Sequence, residues 1–444
     1  MSDLFFCSLN EERSEAFQNK ISSVEAGCTE QFLYNENNEL SNIFQRESEI
    51  MTIMPTLDPF IRNEREAELA ALADRLAAQF ALRAAKHDKE GDFPFDNFED
   101  MKQAGYLKLP VPKEYGGEEI GLYELVLLQE RLARGDGSTA LAVGWHMGHM
   151  LHYRAARPWP EALFERFCIE VVERGSMINS FASEKATGSP SRGGKPQTVA
   201  EKVDGGWLLT GTKTYSTLSP ILNHFIVSAA IANEERNGEF LVTRSEQITI
   251  NETWDTLGMR ATGSHDLVLN RAFVPDDDFI SRMDVDRKYP KQDDGGGWML
   301  HIPACYLGIA YAARDYAVEY ASRYRPNSLP GPIAELPHIQ QLIGLMEVDL
   351  TAARTLMYSV AARWDEQPDK RSALKPDFGI VKYLATNSAQ QIVDRAMRIV
   401  GGASLSRTLP LERMYRDVRA GLHNPPMDDV VLKNAARRAL AEWE

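Results

Sequence analysis

The 444-residue chain is predicted to be an α+β protein in three consecutive parts. These are an N-terminal all-helical domain, a small central β-domain and a C-terminal four-helix bundle. Three observations predict this order. Apolar residues recur at helical spacing from Arg62 to Leu151, then give way to short strand-like runs bounded by glycine and asparagine turns, and helical periodicity returns at Leu300. The expected divisions are an acidic extension over 1–54, then 55–171, 172–280 and 281–444.

Taken in order, residues 1–50 hold ten acidic residues against three basic ones and a polar Asn35-Glu36-Asn37-Asn38-Glu39 run. Such a segment cannot bury enough apolar surface to order itself, so disorder is expected. Arg46-Glu47-Ser48-Glu49 can be encoded by a purine-rich stretch, as when a bacterial ribosome-binding site is read as protein. On that reading translation starts at Met51 or Met54; a genuine acidic extension is the alternative.

Leu69, Leu72, Leu76, Phe80 and Leu82 predict an amphipathic helix over 62–85, and Phe95 to Gly105 a short one stopped by glycine. A proline-glycine turn segment, Leu109 to Gly117, precedes a helix over 122–133, and Thr139 to Leu151 reads as a buried helix. Strands are expected at Trp207–Thr210, His224–Ser228, Glu239–Thr243, Ile248–Ile250 and Leu267–Leu269. The bundle is expected from helices over 307–324, 340–364 and 377–399.

Composition narrows the function. A net charge of −15 argues against nucleic acid as the main partner, because phosphate binding needs a basic face. No apolar run reaches bilayer-spanning length, and Met1 to Phe6 lacks the basic start and long apolar core of a signal peptide. Cys7, Cys28, Cys168 and Cys305 show no metal-ligand spacing; Cys168 and Cys305 read as buried thiols. A cytoplasmic location, with no membrane partner, is expected.

Several stretches carry more specific information. Ala104-Gly105-Tyr106-Leu107 leads to Pro112-Lys113-Glu114-Tyr115-Gly116-Gly117. Ser183-Glu184-Lys185-Ala186-Thr187-Gly188-Ser189 is followed by Leu209 to Thr217, then by Leu257-Gly258-Met259-Arg260 to Ser264 and Val274-Pro275. Ile399-Val400-Gly401-Gly402 precedes Arg416-Asp417 and the loop Gly421-Leu422-His423-Asn424-Pro425-Pro426. In this order the stretches resemble the acyl-CoA dehydrogenase family over roughly residues 60–440, although the flavin-loop motif lacks its proline and final aspartate.

The resemblance implies a bound flavin, FAD with FMN as the alternative, whose redox chemistry the protein tunes by hydrogen bonds. It places Ser183 and Thr217 at the ring edge and Tyr215 against a ring face, with Gly188 and Ser189 towards the pyrophosphate or substrate. Arg325, or Arg323 in a shifted register, would reach the flavin phosphates of a neighbouring subunit. Gly401 and Gly402 would meet a partner's FAD, which implies a homodimer or homotetramer. The plainer alternatives are packed strand residues for Ser183 and Thr217 and a helix cap for Gly401-Gly402. Arg416-Asp417 is expected to be a structural ion pair without catalytic duty.

The family's catalytic base is the point of conflict. Acyl thioester dehydrogenation needs a carboxylate beside the Cα proton. Of the family's two positions for it, one aligns with Pro425 and the other with Trp298-Met299, and neither takes a proton. Asp428 or Asp429 would substitute only through a loop shift. His423 is the candidate catalytic residue, since a neutral imidazole near a flavin donates a hydrogen bond or acts as acid–base. Its alternative role is to hold a turn. Arg-Asp followed by His-x-Pro, with Thr262-Gly263-Ser264-His265-Asp266, is similar to flavin monooxygenases of this fold such as dibenzothiophene monooxygenase-like proteins. His146 and His149, three apart, form a conceivable metal pair without a third ligand; lining the substrate cavity or the core is expected instead.

The resemblance implies a FAD-dependent oxidoreductase acting on the CH–CH group of an acyl-CoA. A flavin-dependent monooxygenase with another organic substrate, and a non-catalytic flavin- or acyl-binding protein, are the alternatives.

Overall fold

Asn63 starts the first helix: its side chain accepts the Glu66 amide, and α1 runs Glu64–Glu90 until Gly91, at φ 70°, ends it. The computed structural model describes residues 58–187, 195–283 and 293–441. The acidic extension, both start sites, Cys7, Cys28, Gly188 and Ser189 lie outside the described residues.

α1 buries Leu69, Leu76 and Phe80 as expected, and continues past Ala85. Leu82, assigned to the same stripe, faces outward instead and is exposed. α2 (Phe95–Gln103) and α3 (Leu122–Gly135) follow. α4 (Gly137–Ala156) begins at Asp136, whose side chain accepts the Thr139 amide, and is buried on nearly every side. A helix apolar all round belongs in the middle of a structure, and α4 lies there. α5 (Glu161–Arg174) completes the helical part.

The sheet contains β1 (Ile178–Phe181), β2 (Val199–Val203), β3 (Gly206–Ser216), β4 (His224–Ile231), β5 (Asn237–Thr243), β6 (Ile248–Asn251), β7 (His265–Pro275) and β8 (Phe279–Met283). Its order is β6-β7-β3-β2-β4-β5-β8, with β1 pairing parallel to β4. Two strands are far longer than their apolar cores suggest: β3 and β7 each span eleven residues and pair antiparallel. β1, β2 and β8 carry too many polar residues to stand out in the sequence.

Beyond the sheet, α6 (His301–Arg323), α7 (Pro337–Glu366) and α8 (Lys375–Val400) are the long helices of the C-terminal part. α9 (Leu411–Arg419) and α10 (Asp428–Ala441) pack on α8. α6 also packs on α3 and α4, so the helical parts share one apolar core. Cys168 and Cys305 are free, buried thiols. Burial pushes Cys168 up to about 12, which leaves it unreactive.

The expected Arg416–Asp417 ion pair does not form. Arg416 pairs instead with Asp88 of α1 at 2.6 Å and with Glu412 at 2.8 Å, while Asp417 accepts the Met259 amide at 2.6 Å. Adjacent side chains on a helix diverge by about 100°, so each meets a different neighbour.

Candidate active site

The end of β3 is bent out of register. A bulge between Lys213 and Ser216 breaks its ladder with β7, and Tyr215 inside it takes φ 56°. A bulge re-aims a side chain, and here it leaves the Tyr215 ring 69% exposed, edge-on to Trp254 at 6.0 Å. Positive φ on a bulky residue is a strained state that a structure holds only under constraint. Ser183 lies beside this bulge, because its carbonyl accepts the Thr214 amide at 2.9 Å. Thr217 follows, half-buried, its carbonyl accepting Asn179 Nδ2 at 3.0 Å. Ser183, Tyr215 and Thr217 are thereby brought together.

A buried ion pair secures this corner. Lys213 Nζ lies 2.6 Å from Glu184 Oε1, with the two side chains 0% and 2% exposed. Glu184 also accepts the Gln197 and Thr198 amides and the Thr198 hydroxyl. Burial alone would raise the Glu184 carboxyl, but the hydrogen bonds from Lys213 and Thr198 outweigh it and hold it low. Because Glu184 follows Ser183 and Lys213 precedes Tyr215, the pair fixes both strand ends.

The Thr217 hydroxyl belongs to a chain reaching the C-terminal part. It contacts Ser264 Oγ at 2.8 Å, Ser264 contacts the Thr262 hydroxyl at 2.7 Å, and Thr262 donates to the Met259 carbonyl at 3.1 Å. Met259 itself donates to Asp417. Gly258 permits this approach: a Cβ there would lie 2.2 Å from the Arg416 carbonyl oxygen.

On the other side of Asn179 lies a group of imidazoles and aromatic rings. His149 Nε2 is 3.2 Å from Asn179 Oδ1, which also accepts the Ser180 amide. With Asn179 Nδ2 committed to Thr217, Oδ1 is the acceptor, so His149 carries its proton on Nε2. Among the described residues its Nδ1 is buried without a partner, as is Nε2 of His301, whose Nδ1 faces the Trp298 carbonyl at 2.9 Å. Burial holds His149 well below its ordinary value, helped by His152 and His301, and lowers His301 to about 4. Trp298 lies 4.7 Å from His149, and Trp145 lies 4.8 Å from His301.

His146 does not line this space. Its Nε2 meets the Leu107 carbonyl and its Nδ1 accepts the Ile178 amide, so both nitrogens are used within the core. Burial lowers it to about 4. It cannot form a metal pair with His149, because neither nitrogen has a lone pair to spare.

The remaining candidates stand apart. Arg325 is exposed and has no hydrogen bond or ion pair among the described residues, whereas Arg323 pairs with Glu319. Gly401 caps α8 at φ 72°, and a Cβ on Gly401 or Gly402 would meet nothing within 4 Å. His423 ends a short turn over 420–423, exposed and without a hydrogen bond among the described residues. Asn424 beside it accepts the Tyr306 hydroxyl. Pro425 follows, and Trp298 and Met299 occupy the turn just before α6. Asp428 is taken by Lys382 at 3.0 Å and Asn387 at 3.1 Å.

Family models for the acyl-CoA dehydrogenase N-terminal, middle and C-terminal domains match residues 63–156, 180–272 and 300–423. YdbM of Bacillus subtilis (strain 168), provisionally named an acyl-CoA dehydrogenase, is 45% identical over 381 residues, 86% of this chain and 98% of its own. The chain belongs to the acyl-CoA dehydrogenase family. As an acyl-CoA dehydrogenase family member it is a flavin-type oxidoreductase with that family's three-part fold. L-evernosamine nitrososynthase of a Micromonospora species is 30% identical over 372 residues, covering 80% of this chain and 84% of that one. The solved structure of KijD3 with FMN and a dTDP-linked sugar superposes with TM-score 0.74 at 26% identity, covering 87% of this chain and 95% of that one.

Sequence reading missed Asn179, the Glu184–Lys213 pair as a brace, and the imidazole group beyond His149. The spacing His149-x-x-His152-Tyr153 on one helix was the available signal.

Proposed function

We propose that this family member is a flavin-dependent monooxygenase built on the acyl-CoA dehydrogenase fold, using FAD, or FMN in its place. One observation carries the reading. By the family resemblance the two positions for the proton-abstracting carboxylate fall on Pro425 and Trp298-Met299, which take no proton; of the two possible substitutes, Asp428 is committed to Lys382 and Asn387, and Asp429 is exposed. Beside the strand-end corner, a neutral His149 is joined through Asn179 to the carbonyl of Thr217.

The residues present fit a flavin. The exposed Tyr215 ring offers a flat face, and the Ser183 and Thr217 hydroxyls stand at the adjoining strand ends. Those three residues would hold the ring, with Gly188 and Ser189, which follow Ser183 in the sequence; Arg325, Gly401 and Gly402 would serve a partner copy's cofactor. A bound reduced flavin supplies the electron pair that activates dioxygen. Asn179 fixes the His149 tautomer, so that the buried Nδ1 is left with a lone pair able to accept a hydrogen bond. His423 would move a proton from the C-terminal loop. The substrate is a small organic molecule, the assembly a homodimer or homotetramer, and the location cytoplasmic; among the described residues no helix is long and apolar enough to cross a membrane.

The second reading is CH–CH dehydrogenation of an acyl-CoA, favoured by the family models and by the likeness to YdbM. Mixing the flavin-loaded protein with acyl-CoAs of several chain lengths without oxygen separates the two. The monooxygenase reading expects the flavin spectrum to stay oxidised. Stoichiometric bleaching would overturn it and establish the dehydrogenase.

A further inference from the structure

We propose that the Thr217 hydroxyl is held as a hydrogen-bond acceptor only, so that it favours a bound flavin in its reduced state over the same flavin oxidised. This deepens the proposed function and rests on its placement of Thr217 at the ring edge. The polarity is set at the far end of the hydroxyl chain. The Met259 carbonyl has no proton to give, so Thr262, whose hydroxyl lies 3.1 Å from it, is the donor of that contact. Trp254 Nε1 donates to the same oxygen at 2.9 Å.

A hydroxyl has one proton. With that of Thr262 committed to Met259, Thr262 accepts in its 2.7 Å contact with Ser264 Oγ, and Ser264 donates. The Ser264 proton is then used as well, so Ser264 receives that of the Thr217 hydroxyl at 2.8 Å. Thr262 and Ser264 are 1% and 5% exposed, so solvent does not compete for these contacts. The three hydroxyls thus point one way, inward from Thr217, and an aligned chain of this kind strengthens each of its bonds. The Thr217 amide is spent too, on the Tyr215 carbonyl at 2.9 Å, and its carbonyl accepts Asn179 Nδ2. Towards a ligand Thr217 has neither an N–H nor an O–H to offer. What it offers is the lone pairs of its hydroxyl oxygen.

The two redox states of a flavin differ in what they present to such a group. The oxidised ring turns a lone pair outward at N5, whereas the reduced ring carries a proton there. An acceptor-only hydroxyl meets repulsion from the first and a hydrogen bond from the second. Thr217 is therefore a redox-selective contact. Ser264 and Thr262 are its positioning residues, acting through the Thr217 hydroxyl without touching the flavin themselves. Removing the Ser264 hydroxyl would free that of Thr217 to turn and donate, which would erase the preference while leaving Thr217 in place. The effect is one of binding, and no covalent bond forms or breaks.

The test is the midpoint potential of the FAD-loaded protein, measured by anaerobic reduction beside a reference dye. Its difference from the potential of free FAD gives the ratio of affinities for reduced and oxidised flavin. Thr217→Val should lower that ratio by about 2–10-fold, the equivalent of one neutral hydrogen bond. Ser264→Ala should lower it at least as far, and Thr262→Val carries the test if Ser264→Ala does not fold. Thr217→Ser keeps the hydroxyl and should keep the wild-type ratio. Adding Ser264→Ala to Thr217→Val should change nothing further, because Ser264 acts through that hydroxyl. A purely structural chain would lower melting temperatures, loosen both redox states alike and leave the ratio fixed. A fixed or raised ratio in Thr217→Val or Ser264→Ala, or a further fall in the double variant, overturns the proposal. Acyl-CoA bleaching, by contrast, would remove the oxygen-using reading and leave these potentials untouched.

Discussion

The Met259 amide donates to Asp417 Oδ1 at 2.6 Å, tying the loop that carries Ser264 to helix α9. Burial raises the Asp417 carboxyl to about 7, against the pull of the Met259 amide and Arg413. The folded chain therefore favours the protonated acid. That contribution is complete below the ordinary value of 3.8 and is lost as pH rises through about 7. Asp417→Asn keeps an acceptor for Met259 and cannot ionise. Urea unfolding should show it more stable than wild type near about pH 8, with the difference vanishing near about pH 4. Parallel pH profiles for the two proteins would contradict this.

Lys213 and Glu184 form a pair whose halves are not interchangeable with nothing. Lys213→Met leaves a buried carboxylate without its cation, a loss expected to cost about 3–5 kcal/mol. Adding Glu184→Gln should restore part of it, as a double-mutant cycle in chemical denaturation would show. Additive losses would mean that the two side chains act separately.

Thr217→Val removes the hydroxyl while keeping the shape, and Ser264 retains Thr262 as a partner. If the hydroxyl serves the flavin edge, reduction potential or reoxidation rate shifts by the equivalent of about 1–3 kcal/mol. Wild-type redox behaviour would assign Thr217 to packing alone.

A Cβ added to Gly402 would meet no atom within 4 Å among the described residues. Gly402→Glu should therefore leave the melting temperature of the monomer unchanged while lowering flavin content and the oligomer fraction in gel filtration. Unaltered flavin content and elution volume would remove Gly402 from a partner's cofactor site.

His423 is exposed and makes no hydrogen bond among the described residues, so His423→Ala should not change stability. As an acid–base residue its loss costs about 10²–10⁴-fold in product formation, with hydrogen peroxide released in place of product. Unchanged coupling between flavin oxidation and product would return His423 to a structural role.

Much of the fold was legible because its apolar periods are local. The three long helices of the C-terminal part lie close to where spacing placed them, and motif order located the strand-end corner. What stayed hidden depends on partners far along the chain. β1 reads as Ile178-Asn179-Ser180-Phe181, with two polar residues, and becomes a strand by pairing with β4. The second half of β3 contains Lys213, which no apolar pattern accommodates; its burial makes sense only once Glu184, 29 positions earlier, is beside it. His152 and Asp294 are 142 positions apart, and nothing local marks them as neighbours. Leu82 failed for the opposite reason: it fits the apolar composition of its helix but lies on the outward side.

Gly258 sits so close to the Arg416 carbonyl that no side chain fits between loop and helix. The two surfaces must therefore change together. A laboratory chimera that imports another relative's C-terminal loop alone would inherit a mismatched seam. Transplanting 257–264 along with it should keep the Thr217 hydroxyl in place, which makes this seam the natural cut line for engineering new specificities into the scaffold.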